Sequence, residues 1–166
     1  MGRATRGDLC QRRLSYHRAV PTIAEPPSPE RPLQGGCLCG AVRYEITAPF
    51  LSAGYCHCTR CQRRTGTSSS LNGRVPQSGF RLLQGEERLK AWSPGEGGVP
   101  KLFCSECGSA VFSGDPLGDE EVAVRLGTLD GDPGIRPQYR MFVDSAASWS
   151  PPPEDGLTRY PGLRPA

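Results

Sequence analysis

Six consecutive residues, Cys56-His57-Cys58-Thr59-Arg60-Cys61, place three thiols in one short segment. Successive side chains of a strand face opposite ways. An extended stretch ending near Cys58 therefore puts Cys56 and Cys58 on one face and His57 on the other. A tight turn after Cys58 returns Cys61 to its partners. Three thiolates around one point suit Zn²⁺, which takes sulfur tetrahedrally and, with three protein ligands, keeps one corner for water or substrate. His57 has two readings. It is a fourth ligand, or it is a strand histidine packed or hydrogen-bonded on the opposite face, which is where alternation points it.

Four further cysteines form two pairs, in Gly36-Cys37-Leu38-Cys39-Gly40 and Cys104-Ser105-Glu106-Cys107-Gly108. Glycine after a ligand cysteine tolerates positive φ, so the chain folds back and its N–H groups can face the sulfur. Alternation puts Cys37 and Cys39 on one face. Two pairs complete a four-thiolate site with no open position, which reads as structural. Cys61 is followed by Gln62 instead of glycine, which hints at a different purpose for the middle cluster. Four ligands and three account for seven of the eight cysteines and leave Cys10 over. No apolar run near the N-terminus makes a secretory signal, and short Cys-x-Cys and Cys-x-x-Cys spacings then favour metal over disulfides.

Short strands must position these groups. Val42, Tyr44 and Ile46 alternate with Arg43 and Glu45, the pattern of a half-buried strand over 41–47. Residues 51–58 form the strand that delivers the middle cluster, and 60–66 a polar turn or single helical turn. A strand over 67–71 then meets Asn72-Gly73, a hairpin signal. Strands are expected at 80–83, 89–92, 101–104, 110–113, 121–126 and 138–143, with loops at 93–100, 114–119 and 130–137. Trp149 is expected to fold back over an end of the sheet. No long helical period appears. The fold class is all-β, in a single small domain of the kind that supplements its core with metal.

Composition sets the boundaries and excludes some functions. Of 17 prolines, five precede residue 33 and five follow residue 150. Residues 1–33 therefore read as a disordered Arg/Pro-rich tail, 34–150 as the domain, and 151–166 as a Pro-rich C-terminal tail. The first 33 residues take six of the 20 basic and three of the 17 acidic groups, so the remainder balances at 14 of each. A neutral body argues against phosphate-backbone binding, so no nucleic acid is expected as partner. No apolar run is long enough to span a bilayer. The expected location is cytoplasmic. The Arg-rich start slightly resembles a mitochondrial transit peptide, but its composition fits a plain tail better. Arg6 rules out a myristoylation signal after Gly2.

Three motifs carry a family resemblance. Residues 35–44 (GGCLCGAVRY) resemble the opening motif of the glutathione-dependent formaldehyde-activating enzyme family, which includes centromere protein V. Residues 56–66 (CHCTRCQRRTG) are similar to its central motif and 103–109 (FCSECGS) to its knuckle. Residues 126–130 and 142–149 resemble its closing part. The resemblance runs from about residue 34 to 150. It implies a zinc-stapled β-tent, Mss-four-like, built of small antiparallel sheets. It implies a structural zinc on Cys37, Cys39, Cys104 and Cys107, and a second, catalytic zinc on Cys56, Cys58 and Cys61. The implied activity joins formaldehyde to glutathione, giving S-(hydroxymethyl)glutathione. One place where many members carry a histidine holds Arg140 here.

The chemistry expected from this resemblance is that of a zinc-dependent carbon–sulfur lyase acting on a glutathione adduct. A Zn²⁺-bound thiol is deprotonated, and the thiolate is the nucleophile. Arginine holds carboxylates bidentately. Arg60, Arg63 and Arg64, next to the site, and Arg140 are thus candidates to bind glutathione's carboxylates, or else they form a solvated basic turn. Because fold does not fix function, a non-enzymatic zinc-binding interaction module or thiol carrier is the alternative.

Overall fold

The computed structural model describes residues 23–95 and 98–165. The first 22 residues, with Cys10 and most of the expected N-terminal tail, lie outside the described residues. Among the described residues eleven strands and one short α-helix follow one another: β1 Leu33–Gly36, β2 Arg43–Ile46, β3 Ser52–Cys56, α1 Thr59–Thr65, β4 Ser70–Pro76, β5 Phe80–Gln84, β6 Leu89–Trp92, β7 Lys101–Cys104, β8 Ala110–Ser113, β9 Glu121–Arg125, β10 Tyr139–Met141 and β11 Thr158–Tyr160. The fold is all-β, as the alternation requires. A three-stranded sheet in the order β1-β2-β5 packs against an eight-stranded sheet in the order β11-β10-β3-β4-β9-β8-β7-β6. All pairings are antiparallel except those of β10, which lies parallel to both β3 and β11.

Alternation explains the core. Val42, just before β2, and Tyr44 and Ile46 within it are fully buried, and Val75, Phe112, Val122 and Val124 face them from the larger sheet. Tyr44 packs edge-on against Phe112 at 5.1 Å, and Phe80 completes the aromatic cluster. Such pairs contribute about 0.5–1.5 kcal/mol beyond their area. The Tyr44 hydroxyl hydrogen-bonds the Thr128 hydroxyl at 2.6 Å, and burial pushes its pKa up to about 12. Thus the one polar atom in the cluster is satisfied and neutral.

Three expectations are corrected. Asn72-Gly73 makes no hairpin. β4 runs straight through it, because Gly73 lies under Phe50 and Leu126, where an added Cβ would stand 2.6 Å from the Phe50 ring. The glycine is there for close packing, not for a turn. Trp149 does not cover a sheet end; it is 73% exposed. Residues past 150 are not a plain tail. Here β11 extends the large sheet beside β10, Tyr160 packs edge-on against Tyr139, and Asp155 pairs with Arg140. A three-residue strand between prolines and glycines has no period to read. At the other end, residues 23–32 form a turn closed between Ser28 and Arg31, with Pro27 buried.

Candidate metal and substrate site

The seven domain cysteines gather into two clusters. Cys37, Cys39, Cys104 and Cys107 form one and Cys56, Cys58 and Cys61 the other, with the sulfurs of each within 4.8 Å of one another. Sulfurs about 2.3 Å from a common tetrahedral centre stand about 3.8 Å apart. The Cys37–Cys39 and Cys39–Cys104 pairs lie at 3.5 and 3.8 Å. Both donor sets could hold a metal ion, and the all-sulfur chemistry suits zinc.

The first cluster joins the two sheets. Cys37 follows β1, and Cys104 ends β7; both are buried with the core. Gly40 and Gly108 adopt positive φ after their cysteines, at +79° and +74°, and turn the chain back. The Val42 N–H then donates to Cys37 Sγ at 3.2 Å. The Ser109 hydroxyl and backbone N–H hold the Cys107 pKa down to about 5. The Ala41 N–H works to lower Cys39, but its thiol neighbours, Cys37 first, push it up to about 12.

The second cluster is local. β3 delivers Cys56, and Cys58 caps α1, its sulfur accepting the Cys61 N–H at 3.4 Å. Gly66 ends the helix in the left-handed region. The expected single turn is thus a two-turn helix. Hydrogen bonds from Cys56 and Cys58 hold Cys61 well below the usual thiol range, and the Ser70 hydroxyl and the Arg125 charge add to this. The same contacts, made toward Cys61 and Cys58, push Cys56 up.

His57 lies on the other face, as alternation requires. It is 2% exposed, accepts from Arg140 Nη1 at 3.3 Å through Nε2, and turns Nδ1 toward the Ser68 backbone without closing a hydrogen bond. Burial, then the Arg140 charge, pushes its pKa down, so it is a neutral packed histidine.

The four arginines singled out in the sequence part company. Arg60, Arg63 and Arg64 line a hollow of about 480 Å³ with Trp92 and Phe103. Arg60 and Arg63 are exposed there. Arg64 is tied down, donating to the Leu102 carbonyl at 3.0 Å and lying over the Phe103 ring. Arg140 is not brought to the cluster. It pairs in register with Tyr55, stacks on that ring at 4.3 Å, and binds Asp155 at 2.5 Å. Because Tyr55 faces away from Cys56, so does Arg140.

Four residues beside the cluster carry no sequence signal. Ser70, Asn72, Arg125 and Lys101 come from β4, β9 and β7. Register puts them on the face of Cys56: Ser70 opposes Cys56, Asn72 opposes Arg125, and Ser113 links Ala123 to Lys101 across β8. Arg125 donates to Asn72 Oδ1 at 2.5 Å, and Asn72 Nδ2 donates to Ser70 Oγ at 3.2 Å. The Ser70 O–H is left to face Cys61. In the sequence, Arg125 reads as the solvent side of the strand carrying Val122 and Val124. Only the pairing with β4 brings Asn72 beside it, and the residue is buried.

Comparison with known proteins bears on the same residues. The sequence model of a family described as glutathione-dependent formaldehyde-activating enzyme matches residues 32–145. A Halomonas elongata protein provisionally named as such an enzyme is 26% identical over 127 residues, covering 70% of this chain and 78% of its own. A crystal structure of a Rhodobacter sphaeroides protein aligns with a TM-score of 0.50 at 24% identity, over 76% of this chain and 98% of that one, and bears on the fold alone. Among the described residues, no helix is long and apolar enough to cross a membrane.

Proposed function

Because the chain belongs to the glutathione-dependent formaldehyde-activating enzyme family, we propose that it is a zinc-dependent carbon–sulfur lyase joining glutathione to formaldehyde or another small aldehyde. The observation that carries this reading is the three-sulfur set of Cys56, Cys58 and Cys61, which has no fourth Cys, His, Asp or Glu within reach among the described residues. A set of three leaves a tetrahedral ion one exchangeable corner, whereas the four-sulfur set leaves none.

The reaction forms a bond between the thiol sulfur and the carbonyl carbon. The C=O π bond opens, and the thiol proton ends on the oxygen, giving the S-hydroxyalkyl adduct. A Zn²⁺ ion on Cys56, Cys58 and Cys61 would supply thiol deprotonation and carbonyl polarisation. The chain's own residues bind and orient. Arg60 and Arg63 offer forks to the carboxylates of glutathione at the rim of the hollow, and Trp92 and Phe103 cover its apolar atoms. Arg64 fixes the helix to β7, so its role is to hold the other two in place.

Calorimetry of glutathione into zinc-loaded protein tests this. Wild type is expected to bind glutathione at submillimolar concentration and S-methylglutathione far more weakly, since the thioether is a poor ligand. Cys58→Ser is expected to lose glutathione binding while keeping its β spectrum. No binding to zinc-loaded wild type at millimolar glutathione would overturn the lyase reading in favour of an interaction module or thiol carrier.

A further inference from the structure

Arg125 is a buried cation with an unused edge. Its residue is 6% exposed, yet Nε and Nη2 have no hydrogen-bond partner among the described residues. Only Nη1 is engaged, by Asn72. Nε–H and one Nη2–H point the same way along a guanidinium edge and form the fork that matches the two oxygens of a carboxylate. Leaving two donors of a buried cation unpaired is costly. Among the described residues no carboxylate pairs with it, and its charge is felt at Cys61, Arg64 and Lys101. Arg64 also carries an unpartnered buried Nε. Three cations thus border the three-sulfur cluster on one side, and the described residues place no carboxylate in ion pair with any of them.

We infer that the Nε/Nη2 edge of Arg125 binds a carboxylate of the ligand whose sulfur or carbonyl sits at the Cys56–Cys58–Cys61 cluster. This rests on the reading of that cluster as the seat of a thiol ligand. Asn72 and Ser70 fix the orientation of the fork, because Asn72 holds Nη1 and is itself held by Ser70. The carboxylate reaches the edge by displacing the flexible end of Lys101, whose charge lies beside Arg125. Two sources share this chemistry. The carboxylate belongs to the thiol partner, as in the glycyl end of glutathione, or to the carbonyl partner, as in a 2-oxo acid in place of formaldehyde.

The test is calorimetry on the zinc-loaded full chain with paired probes, 3-mercaptopropionate and 2-mercaptoethanol. Wild type is expected to prefer the carboxylate-bearing thiol by about 10- to 100-fold. Arg125→Met is expected to bind both alike, at unchanged zinc content, with a melting temperature equal to or above wild type because a buried unpaired charge is gone. Should that variant fail to fold, Arg125→Lys decides, since it keeps charge and stem without the fork and is expected to lose the preference. Glutathione against its glycinamide analogue, and glyoxylate against formaldehyde, then identify the source. Loss of affinity on amidation in wild type alone names the thiol partner; a wild-type preference for glyoxylate that Arg125→Met lacks names the carbonyl partner. Equal binding of the two small thiols to wild type with no preference for glyoxylate over formaldehyde, or a preference that survives both Arg125 substitutions, would overturn the inference and leave the lyase reading standing. Failure of both thiols to bind would overturn both.

Discussion

Cys39 and Cys104 are 65 residues apart in the chain, whereas Cys56, Cys58 and Cys61 lie within six consecutive residues. A clasp between distant segments closes a long loop, and closing a long loop removes chain entropy that folding must otherwise overcome. The local cluster closes almost none. Their neighbours differ in the same sense. Backbone N–H groups and the Ser109 hydroxyl surround the first cluster, and two of its members belong to the hydrophobic core. Side chains from three strands surround the second, and Arg125, Arg64 and Lys101 give it positive charge. On the proposed reading, one kind of ligand atom is used twice, once to hold two sheets together and once to hold a ligand between a helix and a sheet. Sequence separation and the character of the surroundings distinguish the two uses.

The largest expected effect breaks the comparison if it is wrong. Cys104→Ser is expected to abolish the fold. A structural zinc contributes roughly 10–16 kcal/mol in small zinc peptides, and a domain is stable by about 5–15. Cys58→Ser is expected to leave the sheet spectrum and cooperative melting intact. Circular dichroism and amide spectra of the two variants side by side decide. Equal loss of fold in both would mean that the clusters do not divide the work in this way.

Chelation sharpens the same contrast. With an open corner, the second cluster is expected to release its metal to a mild chelator first, with little change in melting temperature. The first is expected to release its metal only with unfolding. Metal analysis during a chelator titration, followed alongside thermal melting, checks the order. A single class of metal lost together with the fold would remove the distinction.

The legible part of this molecule was local. Ligand spacing divided the cysteines four and three, and period-two alternation found the strands carrying Val42, Tyr44 and Ile46 and Val122 and Val124. Alternation also sent His57 away from the sulfurs, where Arg140 meets it. What depends on strand order was not legible. Asn72 and Arg125 become neighbours only because β4 pairs with β9. Gly73 imitates a turn because nothing in the sequence shows Phe50 lying on it. The family resemblance suggested Arg140 for the site, yet the parallel register of β10 on β3 turns it to the other face.

The smallest effect concerns β3, the strand both faces share. Cys56 and His57 are adjacent, so the second cluster is backed by buried His57 and Arg140 with half-buried Tyr55, and that layer is tied to the C-terminal segment by Asp155. Asp155→Asn keeps the shape and one acceptor but removes the charge facing Arg140. The expected result at neutral pH is a drop of a few degrees in melting temperature, with faster amide exchange in β10 and β11 and unchanged exchange in β7 and β8. The sign of the pH dependence follows from Asp155 itself. Hydrogen bonds from Arg140 hold its pKa below the usual carboxylate value in the fold. Its contribution is therefore complete above the unfolded value of about 3.9 and is lost as the pH falls through the lower folded value. The gap between wild type and variant should be constant from neutral pH down to about pH 4 and should close below it. Parallel melts from pH 7 to pH 3 check this. A gap that persisted in acid would locate the loss in geometry instead of charge. Faster exchange in β7 and β8 as well would show that the layer behind β3 supports both clusters and that the two are not independent.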